Sequence, residues 1–227
     1  MRRVAEMSGH RCSTSRLFVP LLLLAVLTSL APSRAQNLEP IALPKPQTEG
    51  GKPLMEVLKE RKSTREFSAE KLPLQVLSNL LWAAFGVNRT DGRRTAPSSS
   101  NRQEIDIYVS MAEGVYVYEA TPHRLRPVLA TDIRAKAGKQ PFVAQAPVNL
   151  IYVADYRKMG KATPEDKAVT AAADTGFISQ NVYLFCASED LATVVRGSVD
   201  REGLTKAMNL GPEQRVTYAQ TVGYPKK

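Results

Sequence analysis

The segment from Lys167 to Ser188 reads as a helix that is apolar on nearly every side. It carries Ala171-Ala172-Ala173 near its start and Val182-Tyr183-Leu184-Phe185-Cys186-Ala187 near its end. A surface helix shows one apolar stripe, whereas a helix apolar all round has to be covered all round. The chain must therefore fold with this helix at its centre or in a subunit interface. Val148 to Ala154 adds a second constraint, because a nearly continuous apolar run suits a central strand covered on both faces. Together they predict an α+β domain, with a mixed, mostly antiparallel sheet flanked by helices around a long buried one.

Other elements follow from spacing and punctuation. Leu54 to Glu60 predicts a short helix with Leu54, Val57 and Leu58 on one face. Pro73 to Phe85 predicts a longer one, since Leu74, Leu77, Leu80, Leu81 and Ala84 keep the three-four spacing. Pro73 suits its first turn and Gly86 its C-terminal stop. Ile105, Ile107 and Val109 alternate as in a strand, Glu113-Gly114 turns, and Val115 to Tyr118 returns. Asp132 to Ala137 reads as a short helix, and Ala192 to Val195 and Val216 to Gly223 as strands around a helix near Leu204 to Met208. Residues 36–53, with Pro40, Pro44, Pro46, Pro53 and Gly50-Gly51, form an extended lead-in. The domain proper is expected over residues 54–227.

The first 35 residues read as an export signal. Arg2, Arg3, Arg11 and Arg16 stand against one acid, Glu6, before an uncharged stretch from Leu17 to Ala31. Ser33 and Ala35 then give a small-x-small exit. The apolar stretch is shorter than the ~20 residues that span a bilayer, so cleavage, rather than a lasting membrane span, is expected. The predicted location is periplasmic or secreted. Cleavage after Ala35 would leave 192 residues and lower the formal charge from +9 to +5. The remaining basic residues are scattered, without a dense stripe interleaved with aromatics, which argues against nucleic acid as a partner.

That cleavage would also leave one cysteine, Cys186, and one histidine, His123. An intrachain disulfide and a histidine-built zinc centre are then excluded. His123 lies in Thr121-Pro122-His123-Arg124 between two strand-like runs, which predicts an exposed turn histidine rather than a catalytic base. No Gly-x-Ser-x-Gly elbow is present. Cys186 sits in an apolar run and reads as a buried structural thiol. Any enzymatic chemistry is expected to come from a cofactor.

Two polar segments could hold one. Glu60-Arg61-Lys62-Ser63-Thr64-Arg65-Glu66-Phe67 gathers cations and hydroxyls just after a predicted helix. In an extended strand Arg61, Ser63 and Arg65 would project to one side, as a phosphate site wants. A solvated charge run is the competing reading. The second segment is Arg94-Thr95-Ala96-Pro97-Ser98-Ser99-Ser100-Asn101-Arg102-Gln103, where small polar residues could bring backbone N–H groups against a planar ligand. Its competing reading is a flexible loop.

Taken in order, Arg61-x-Ser63-x-Arg65-x-Phe67, Leu80-Leu81-Trp82-Ala83-Ala84-x-Gly86 and Arg94-x-x-Pro97-Ser98 resemble the nitroreductase superfamily. Further matches are Gly114-Val115-Tyr116-x-Tyr118, Ala146-Pro147, Gln180-Asn181-x-x-Leu184 and Val222-Gly223-Tyr224-Pro225. The pattern looks closest to the branch of azoline-oxidising dehydrogenases of thiazole/oxazole peptide synthesis. The resemblance implies FMN bound at the interface of an intertwined homodimer, with hydride passing through flavin N5 in a ping-pong cycle. NAD(P)H is a possible electron donor, and the substrate would be a small molecule or peptide. By family pattern, Arg61 and Ser63 would bind the phosphate, with Lys226 as a further cation. Arg65 would reach the ribityl chain or the pyrimidine edge. Pro97, Ser98, Ser99 and Asn101 would line the ring from the partner subunit, and the backbone at Arg196-Gly197 would meet N5. A non-catalytic flavin-binding or partner-binding module of the same fold is the alternative, and an acyl-transferring serine enzyme is third. Ser100-Asn101-Arg102-Gln103 replaces a Gly-x-x-x-Pro run usual in the azoline branch, so a different substrate face is expected.

Overall fold

The computed structural model describes residues 38–227, so the expected export signal and its exit after Ala35 lie outside the described residues. Seven strands form one sheet: β1 (Ile41–Ala42), β2 (Ile105–Met111), β3 (Gly114–Glu119), β4 (Arg124–Leu129), β5 (Val148–Asp155), β6 (Ala192–Arg196) and β7 (Gln214–Gly223). Their order across the sheet is β1-β4-β3-β2-β5-β7-β6. Every strand pair is antiparallel, so the parallel component of the expected mixed sheet is absent among the described residues. Hairpins join β2 to β3 and β3 to β4, and a tight connection permits only antiparallel pairing.

β5 is an interior strand between β2 and β7, and all eight of its residues are buried. Its alternation sorts the core into two layers. Leu150, Tyr152 and Ala154 face one cluster with Ile105, Ile107 and Val109, while Ile151 and Val153 face another with Val115, Val117 and Ala219. The helices α1 (Leu54–Glu60), α2 (Leu74–Phe85), α3 (Phe142–Gln145), α4 (Pro164–Ser188) and α5 (Arg201–Ala207) flank the sheet. Leu77, Leu80 and Leu81 of α2 and Ile178 and Val182 of α4 close the first layer. Val143 of α3 and Leu204 of α5 close the second.

The long helix starts three residues earlier than its apolar run, because Pro164 opens it and the Thr163 side chain accepts the Asp166 N–H at 3.1 Å. Ala171, Ile178, Val182 and Cys186 are buried, yet Val169 is 71% exposed and Phe177 48%. One chain therefore does not cover this helix all round. The expected apolar face of α1 also differs, since only Val57 is buried while Leu54 and Leu58 are exposed. Pro73 caps α2 from outside its first turn. Gly86 ends it with φ −74° and ψ 161°, an extended rather than a left-handed stop. The lead-in contributes β1, with Ile41 opposite Leu125. No helix among the described residues is long and apolar enough to cross a membrane.

Candidate functional site

Residues 61–68 leave α1 as an extended segment strung between β6 and the C-terminal residues. Thr64 N–H donates to the Thr193 carbonyl at 2.9 Å, and Ser68 N–H to the Tyr224 carbonyl at 2.9 Å. Lys226 N–H donates to the Glu66 carbonyl at 3.3 Å, so the tail residue Lys226 lies against the basic segment. Phe67, bridged to Pro225, is buried and anchors the strand.

Arg61 and Ser63 converge on one side chain. The Arg61 guanidinium sits 5.3 Å above the Tyr183 ring, and Ser63 Oγ is 2.8 Å from the Tyr183 hydroxyl. That hydroxyl already accepts the Val195 N–H at 3.0 Å. A phenol has one proton to give, and with Ser63 Oγ as its acceptor the serine's own proton is left for a ligand. Arg65 is exposed. Among the described residues Arg61, Lys62, Arg65 and Lys226 form no ion pair, whereas Lys52 is held by Glu60 at 3.0 Å and Asp190 at 2.7 Å. Uncompensated cations along this segment leave a local positive field suited to an anion. Two cavities flank the segment. One of about 640 Å³ is lined by Lys62, Thr64, Tyr183 and Thr193, and another of about 840 Å³ by Phe67, Tyr224 and Lys226.

Arg196 ends β6 with its guanidinium turned inward. It donates to Thr221 Oγ1 at 2.5 Å, the Ala137 carbonyl at 3.0 Å and Asn149 Oδ1 at 3.3 Å, and lies over the Phe142 ring. Burial lowers its pKa to about 10. Its side chain holds the sheet to the 134–138 turn, so only backbone is left there to meet a ligand. Gly197 is exposed, and its carbonyl accepts from Arg201 at 3.0 Å.

The serine-rich segment is built rather than loose. Ser98 Oγ accepts the Gln103 N–H at 3.0 Å, and the Ser99 N–H donates to Asp174 Oδ2 of α4 at 2.8 Å. Ser100, Asn101 and Gln103 take φ of 52°, 52° and 49°, the left-handed region that favours glycine. Arg94 pins the base of the loop, donating to Gln103 Oε1 at 2.8 Å and to the Phe85 carbonyl at 3.0 Å. Pro97 and Asn101 are exposed, and Ser98 and Ser99 half-buried.

Within one chain the two segments stay apart. The basic segment meets α4 at Tyr183 and the serine loop meets it at Asp174, nine positions earlier and roughly 13 Å along the axis. A single subunit thus brings Arg61 and Ser63 together at Tyr183, sets Lys226 against Glu66 further along the same segment, and holds Pro97, Ser98, Ser99 and Asn101 in a separate loop.

Sequence reasoning missed Tyr183 as the organiser, because a tyrosine inside an apolar helix signals packing. His123 also differs from expectation. It stands in the β3–β4 turn, but its Nε2 is 2.7 Å from Ser78 Oγ and its Nδ1 3.0 Å from the Tyr118 hydroxyl. Burial lowers its pKa. Ser78 is fully buried and donates to the Pro44 carbonyl at 2.6 Å. A serine whose proton is already committed to a carbonyl is no nucleophile, so this Ser–His pair is structural.

The architecture has known counterparts. The model of the nitroreductase family matches residues 58–224. A protein of Methanocaldococcus jannaschii is 34% identical over 155 residues, 64% of this chain and 78% of its own. A crystal structure from Ralstonia eutropha JMP134 is 42% identical, with a TM-score of 0.79 over 83% of this chain and 90% of that one. Both are described as a "putative nitroreductase". At the level of fold alone, an NADPH:FMN oxidoreductase from Vibrio harveyi, complexed with NAD+, superposes with a TM-score of 0.57. It is 20% identical, over 77% of this chain and 69% of that one. With one sheet, its flanking helices and a family match running from α1 to the C-terminal residues, the chain belongs to the nitroreductase family.

Proposed function

We propose that this protein is an FMN-dependent oxidoreductase. The observation that carries the reading is the lip at Arg61, Ser63, Arg65 and Lys226, where cations without carboxylate partners stand beside a hydroxyl that can donate. The donor set fits the cofactor: guanidinium and hydroxyl groups on one short segment suit a phosphate. Arg61 and Ser63 would hold that phosphate, with Lys226 completing the charge. Arg65, exposed and further along the segment, would face the ribityl or pyrimidine end and stabilise negative charge there. Backbone at Arg196-Gly197 would border the ring, while the buried guanidinium of Arg196 fixes that backbone in place. When bound, FMN would supply hydride chemistry at N5, taken from a donor and passed to an acceptor in turn. No side chain of the chain is assigned as the acid or base.

The separation of the two ligand-facing segments supports a homodimer as the working unit. Pro97, Ser98, Ser99 and Asn101 would then approach the cofactor held by the other subunit. Exposed Val169 and Phe177 on α4, and Leu54, Met55 and Leu58 on α1, supply apolar surface for such an interface. The N-terminal reading remains part of this proposal, placing the mature domain outside the cytoplasm. The motif order supports a kinship with the azoline-oxidising branch, without assigning that substrate.

The test is an anaerobic screen of NADH, NADPH, quinols and thiols against FMN-loaded protein, followed by flavin absorbance. Bleaching by a donor and recovery with an acceptor is the expected result. Yellow protein that no donor bleaches would mark a flavin-holding module instead, and protein that stays colourless with FMN would remove both.

A further inference from the structure

Glu104 precedes β2 and is fully buried, and neither of its carboxyl oxygens meets a hydrogen-bond partner. Asp174 of α4 is 3% exposed and adjoins it. Neither carboxyl has an ion-pair partner among the described residues. Two adjoining buried carboxylates without a counter-ion cannot both stay ionised, because each charge would be desolvated and repelled by the other. A single proton resolves this. It removes one charge and makes one carboxylic acid the donor that the pair otherwise lacks.

Other charged groups around the pair are committed elsewhere. Lys158, the cation whose charge acts on Glu104, donates to the Gln103 carbonyl at 3.1 Å and to Asp106 at 3.3 Å. Asp155 of β5, whose N–H donates to the Glu104 carbonyl at 2.9 Å, is paired with Arg157 at 2.6 Å. Arg102 reaches Ser99 Oγ at 3.2 Å, and Arg94 reaches Gln103. Asp174 is the acceptor of the Ser99 N–H, so the pair lies directly under the loop whose residues 100, 101 and 103 hold left-handed backbone. Such backbone persists only where its surroundings over-determine it.

We propose that Glu104 and Asp174 form a buried acid pair that shares one proton and so positions the Ser98–Gln103 loop. Burial, and next the adjoining Asp174 carboxyl, push the Glu104 pKa up to about 7, with Lys158 opposing. The sign of the linkage follows. A carboxyl raised on folding keeps in the native state a proton that the unfolded chain has lost. Its contribution to stability therefore declines as pH rises from the ordinary 4.5 to about 7, and is level above that. The consequence for FMN rests on the proposed function: the loop expected to line the ring loosens across the same range.

Infrared titration of the purified full-length protein, with and without FMN, from about pH 5 to about pH 9 reads the proton directly. The carbonyl band of a protonated carboxylic acid should disappear with a midpoint near pH 7. It should be missing in Glu104→Gln, and its midpoint should shift to lower pH in Asp174→Asn. Amide exchange at Ser99, corrected for its intrinsic rate, should accelerate across the midpoint in the wild type. It should stay flat in Glu104→Gln, whose amide mimics the protonated acid. If Glu104→Gln does not fold, the wild-type titration and the Asp174→Asn shift still decide. A spectrum without a titrating acid band, or a midpoint that Asp174→Asn leaves unmoved, would overturn the proposal. If the band titrates while FMN binds at no pH, the pair stands and the flavin reading fails.

Discussion

Tyr183 serves Arg61, Ser63 and Val195 at once, and the basic segment takes its shape from that meeting. Tyr183→Phe keeps the ring under Arg61 but leaves the Val195 N–H without its acceptor. It should cost about 1–2 kcal/mol in stability, measured by urea unfolding, and weaken FMN binding along with it. Arg65→Ala should act on the other end of the ligand and lower the reduction potential of bound FMN, read by equilibrium dye titration, since reduced flavin would lose a nearby cation. An unmoved potential would leave Arg65 as surface charge. His123 offers a pH test independent of flavin. Its pKa is lowered in the fold, so its contribution is present above the unfolded value of about 6.5 and is lost as pH falls below it. His123→Gln should therefore flatten the melting temperature between about pH 7 and about pH 5. These residue roles are the least legible part of the sequence. Tyr183, Glu104 and His123 gain their partners from segments far along the chain, at Ser63, Asp174 and Ser78, and no local spacing encodes such meetings.

Elements were more legible, because their signals are local. The nearly continuous apolar run around Val148–Asp155 marks an interior strand, and α1 ends where its leucine spacing and Arg61 end it. β1 and α3 were not legible, since two and four residues carry too little periodicity to declare themselves. Arg196 closes a strand that the sequence does show, yet nothing in Val194-Val195-Arg196-Gly197 says that the guanidinium turns inward. Arg196→Ala would strand the Ala137 carbonyl inside the second layer and leave Asn149 Oδ1 with the Thr221 hydroxyl alone. The expected loss is about 2–4 kcal/mol by urea unfolding, little of it recovered by lysine, whose single ammonium cannot span the same acceptors. Loss under about 0.5 kcal/mol would show that water reaches these groups. At the β2–β3 turn Gly114 has φ 148°, and a Cβ there would lie 2.3 Å from the Leu129 carbonyl oxygen. The turn therefore tolerates no side chain.

At the scale of the whole molecule, the helix that looked too apolar for water remains partly uncovered within one chain. Phe177→Asp should convert a dimer to monomer in light scattering at micromolar concentration, while Cys186, fully buried against α4's neighbours, stays inert to thiol reagents in the native protein. A wild-type monomer that still binds FMN would contradict the shared site. The central claim is that the Arg61 lip grips the phosphate of FMN, and fluorescence titration of FMN into wild type and Arg61→Ala tests it most directly. The account predicts a loss of about 1.5–3 kcal/mol in the variant, roughly a ten- to hundredfold weaker Kd. Equal affinity in the two proteins would contradict it.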